Sequence, residues 1–109
     1  MAQSLKQINM NFQKTEKAAS YLKDAAHFLH RFSANENEYI QHQLKKNWTG
    51  ENATVFSMQN QRLFYEVDIL SRQMMEEAYR IQHKAHLVRD AEERAYAIAQ
   101  ERAQKAKNK

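Results

Sequence analysis

The chain predicts an all-α fold, an antiparallel two-helix hairpin that completes a four-helix bundle by association. Three observations predict it. The 109 residues contain no proline and a single glycine, Gly50, which sits close to the midpoint. Small or apolar residues recur at alternating spacings of three and four on both sides of that glycine. With one breaker in the middle, such a chain has one place to reverse direction, and so forms one domain spanning 1–109.

In the first arm, Leu5, Ile8, Phe12, Thr15, Ala19, Leu22, Ala26 and Leu29 follow a heptad rule and predict a helix over about residues 4–46. Beside them runs a second stripe, Ala18, Tyr21, Ala25, Phe28 and Phe32. Two adjacent apolar stripes let one helix touch two neighbours. Ser33 and Glu36 match a capping box, which would let the helix kink or restart there. Tyr39, Ile40 and Leu44 then resume the apolar face.

Asn47 to Gly50 form the turn. Gly50 supplies a positive φ at low steric cost, and Thr49 or Asn52 is a candidate cap for the second helix. Trp48, the only tryptophan, is placed to cover the ends of both seams, with Ala53 and Phe56 as neighbours.

The second arm predicts a helix over about 51–103, with its seam at Ala53, Phe56, Asn60, Leu63, Val67, Leu70 and Met74, then Ile81, Val88, Ala91, Ala95 and Ile98. Asp68–Arg72, Glu76–Arg80, Asp90–Arg94 and Glu101–Lys105 are i,i+4 pairs with the acid first, the favoured orientation. Beyond about Gln100 the large apolar residues stop, and the basic tail to Lys109 is expected to be mobile. The side chains expected to form the interface seam are Leu5, Ile8, Phe12, Leu22, Leu29, Leu63, Val67 and Leu70.

Two helices side by side share one seam and leave their outer faces wet. Small helical scaffolds usually need a metal, a disulfide or a partner, and the chain has no cysteine. A partner is the expected route. The net charge of +4 divides into +3 over residues 1–50 (7 basic, 4 acidic) and +1 over 51–109 (10 basic, 9 acidic). Bases alternate with acids around the second helix, which disfavours nucleic-acid binding. Met1 to Phe12 offers no apolar core run of a secretory signal, and no stretch approaches the ~18 apolar residues of a membrane span.

Trp48-Thr49-Gly50, with Ala53 five and Phe56 eight residues after the tryptophan, resembles the W-x-G family of small proteins handled by type VII (ESX-type) secretion systems. The resemblance implies a helical hairpin turning at Trp48 and Gly50. It also implies a route out of the cell that needs no signal peptide: cytoplasmic before export, then secreted. No tyrosine satisfies the Tyr-x-x-x-Asp/Glu export signal of many members, since Tyr96 is followed at the fourth place by Gln100. A Phe-x-x-x-Asp variant fits Phe64 and Asp68, which makes them a candidate signal; packing and a surface ion pair explain the same two residues. The implied role is that of secreted substrate, or of a small partner in Gram-positive bacteria that packs on the helical N-terminal domain of a secreted toxin. Its partners would be that domain or a second copy, and the secretion machinery, with no nucleic acid and no membrane insertion.

Chemistry is not expected. His27/His30 and His83/His86 have ligand spacing, but folding back at residue 49 puts the pairs far apart, so no metal is assigned. The same register lets His30 meet Asp68. With no cysteine nucleophile and no glycine-rich phosphate loop, the chain is read as a non-enzyme without catalytic residues or cofactor. The alternatives are a small basic helical nucleic-acid-binding protein and a generic structural hairpin subunit.

Overall fold

Ser4 starts the first helix. Its carbonyl accepts the Ile8 N–H at 3.0 Å and its hydroxyl accepts the Gln7 N–H at 3.1 Å, so it is an N-cap. The computed structural model describes residues 4–108 and is an all-α helical hairpin, with α1 over Leu5–Asn47 and α2 over Glu51–Lys107. No strand occurs among the described residues.

α1 runs unbroken through Ser33–Glu36, so the capping box neither kinks nor restarts it. A capping box acts where N–H groups are orphaned, and inside a helix they are already engaged. At the turn the Trp48 N–H still reaches the Leu44 carbonyl at 3.0 Å. Gly50 then takes φ = 109°, and its carbonyl accepts both the Thr54 N–H and the Thr54 hydroxyl at 3.2 Å. Gly50 itself is therefore the N-cap of α2. Asn52, expected as a cap, lies inside the first turn.

A Cβ at residue 50 would meet nothing within 4 Å. Gly50→Ala therefore tests backbone strain alone and should cost about 1–2 kcal/mol in a denaturant titration. An unchanged midpoint would show that another φ serves the turn equally well.

α2 extends to Lys107, beyond the expected end near 103. Ala, Gln, Lys and Arg dominate this stretch and are strong helix formers, and Lys105 pairs with Glu101 at 3.3 Å. Arg102, Lys105 and Lys107 are thus helical; Lys109 lies outside the described residues.

Two compact units divide the chain, Leu22–Glu77 and Met1–Tyr21 with Ala78–Lys109. In the first, Asp68 and Ser57 on α2 meet His30 and Gln41 on α1. In the second, Gln82 and His86 on α2 meet Glu16 and Phe12.

The buried apolar residues are Ile8, Ala19, Ala26, Ala53, Ala78 and Ala85, and Ser71 is buried with them. Ala19 and Ala78 have no exposed surface. Small residues at the contact let helix axes approach to the near end of the usual 8–10 Å range.

The α1 seam matches expectation at Ile8, Ala19 and Ala26, with Phe12, Leu22 and Leu29 half-buried, whereas Leu5 is exposed. The α2 seam keeps Ala53, Asn60, Val67, Met74 and Ile81 of the expected row, and between them it runs one residue away from expectation, through Ser57, Phe64, Ser71, Ala78 and Ala85. Leu63 and Leu70, expected in the seam, are 59% and 49% exposed, and Phe56, Val88 and Ile98 also lie on the outside. The small side chains win the contact because they permit closer backbone approach, and the larger row beside them is turned out.

Candidate partner-binding site

At the turn, the Trp48 and Phe56 rings lie 5.9 Å apart between centroids, tilted by 50°. Ala53, in the first turn of α2, is buried, but Trp48 and Phe56 each keep 45% of their surface exposed. Trp48 is thus a half-covered cap rather than a core residue. Trp48→Ala should cost about 2 kcal/mol, roughly half the figure for a fully buried tryptophan, read from the thermal midpoint.

In the unit Leu22–Glu77 the two flanks of the seam differ in chemistry. On one flank His30 Nδ1 lies 2.6 Å from Asp68 Oδ1, and Arg72 Nη2 lies 3.0 Å from the other carboxylate oxygen. The Asp68–Arg72 and His30–Asp68 contacts are those the spacing predicts. The Ser57 hydroxyl donates to Gln41 on the same flank. These polar groups already satisfy one another.

The other flank carries more apolar side chains. Leu29, Phe32, Ile40, Leu63 and Val67 line a groove there, contributed by both helices. Phe28 stacks on Phe32 at 5.7 Å and 16°, yet both rings are more than half exposed. Phe32 of the second α1 stripe and Leu63 of the expected α2 seam, which sequence reasoning assigned to different purposes, line this one groove and are both more than half exposed. Large exposed apolar patches mark interaction sites.

The candidate export residues take separate places. Phe64 is half-buried at the seam, and the Asp68 side chain is largely covered and engaged by His30 and Arg72.

In the other unit, Phe12 is held between His86, edge-on at 4.9 Å, and the Arg89 guanidinium, 4.2 Å from its ring centroid. Arg89 Nη2 lies 3.3 Å from His86 Nδ1. The other ring nitrogen, Nε2, lies 3.5 Å from Glu16 Oε1. Gln82 completes the cluster by donating to the other Glu16 oxygen at 3.3 Å. Sequence reasoning missed this group. Its signal was Phe12 opposite His86 in the register that pairs His30 with Asp68.

Asp90, expected to pair with Arg94, instead lies 3.6 Å from Arg89, and Arg62–Glu66 adds an unforeseen i,i+4 pair at 3.6 Å. Such exposed pairs contribute little. Among the described residues no three His, Cys, Asp or Glu side chains converge on a metal position, and no helix is long and apolar enough to cross a membrane.

These features define a class: a helical hairpin with an alanine-lined seam and outward-facing large apolar side chains. No family model, curated protein or solved structure matches the chain.

Proposed function

We propose that this chain is a non-enzymatic helical protein of a bacterial type VII secretion system. It acts as a secreted substrate or a small targeting partner, packing on the helical N-terminal region of a larger secreted toxin. One observation carries the reading: the groove lined by Leu29, Phe32, Ile40, Leu63 and Val67 is left open by the chain's own fold, with Phe32 and Leu63 more than half exposed. A helical partner seated there would give each helix the second neighbour that its second apolar stripe calls for. The turn supports the same reading, because Gly50 takes the positive φ, Ala53 is buried and Phe56 packs on Trp48, which gives the W-x-G resemblance a local physical basis.

The test is co-expression with the helical N-terminal domain of a toxin encoded by a neighbouring gene. A stoichiometric complex that survives high salt is the expected result, since apolar helix pairing is insensitive to the salt that weakens phosphate or surface-charge contacts. Recovery of the two chains separately would refute it.

A further inference from the structure

The open groove in the unit Leu22–Glu77 is not uniformly apolar. At its floor Asn60 Nδ2 donates to Asn37 Oδ1 at 2.6 Å, and both residues are half-buried. That bond uses one N–H of Asn60 and the carbonyl of Asn37. An asparagine amide carries two donors and an acceptor. The Asn37 amide hydrogens and the Asn60 carbonyl are not among the buried unpaired atoms, so water meets them in the lone chain and a covering partner would have to replace it. Around them stand Leu29, Phe32, Ile40, Leu63 and Val67, and Glu36 is the one charged residue lining the groove.

We infer that this groove receives an amphipathic helix of a partner chain whose apolar stripe is interrupted by one Asn or Gln. The inference rests on the reading given under Proposed function and names the chemistry of the partner's contact.

A purely aliphatic helix would cover the two amide groups without bonding them, and a buried unsatisfied polar group is costly. A side-chain amide matches both of them, as a carbonyl acceptor for Asn37 and an N–H donor for Asn60. Polar residues at inward heptad positions fix register and partner choice in this way. Glu36 adds a preference for Lys or Arg within a turn of that amide.

The full chain is titrated with two lactam-bridged helical peptides by fluorescence anisotropy. They carry identical leucine stripes and a lysine one turn from the central position, which is Gln in one and Leu in the other. The expected result is a roughly fivefold preference for the Gln peptide, the size one net hydrogen bond gives. In Asn37→Leu/Asn60→Leu, checked for helicity by circular dichroism, the order reverses. Equal binding, a preference for Leu, failure of both peptides to bind, or an unchanged order in the double variant would overturn the inference. So would a self-associated chain whose groove is already filled by a second copy. The broader reading fails differently: there, the full chain would form no complex with the toxin domain at all.

Discussion

Ala78→Leu should lower the stability of the hairpin by about 3 kcal/mol, at the top of the range for inserting methylenes into a packed contact. Ala78 has no exposed surface and lies in a seam whose other fully or nearly covered members are mostly alanines. A leucine there has no void to enter and must push α1 and α2 apart. The melting midpoint is expected to fall by roughly 10–20 °C, at about 4–8 °C per kcal/mol for a domain of this size. Val88→Leu is the matched control: Val88 lies on the outer row, more than half exposed, and should move the midpoint by no more than the usual surface effect of about 0.5 kcal/mol. Equal melting of the two variants would mean that the helices do not meet through Ala78.

Phe32→Ser combined with Leu63→Ser should give the opposite pattern. Both side chains are more than half exposed, so the fold should lose no more than about 1 kcal/mol. Binding to the proposed helical partner should weaken at least about 100-fold, because central apolar anchors each carry 2 kcal/mol or more of affinity. Calorimetric titration against the toxin domain reads this directly. Intact binding by the double variant would move the partner to another face, with the polar flank around His30, Asp68 and Arg72 as the first place to look.

The contrast between these two predictions shows what was legible in the sequence. The helices, their reversal at Gly50 and the register that brings His30 to Asp68 follow from one glycine, the absence of proline and a regular three-four spacing. The inward face of α1 was equally plain at Ile8, Ala19 and Ala26. The second helix was ambiguous. It carries a row of large residues through Leu63 and Leu70 and, one position on, a row of small ones through Ser57, Ser71, Ala78 and Ala85. Hydrophobic size favours the first row as core. Close approach of two helices selects the second, because alanine and serine leave the backbones free to come together.

The Asn37–Asn60 bond and the Phe12–His86–Arg89 cluster were hidden for a related reason. Both depend on cross-helix pairs whose members look like ordinary surface residues within their own helix. Once His30 is set against Asp68, counting puts His86 opposite Phe12 and Asn60 within one residue of the place opposite Asn37.

The apolar flank has the most direct bearing on what the protein does, and its state of association tests it. The decisive measurement is the solution mass by light scattering, for the chain alone and mixed with the toxin's helical domain. The account predicts a four-helix heterodimer in the mixed sample. A lone monomer in both samples, with Phe32 and Leu63 still exposed, would contradict it.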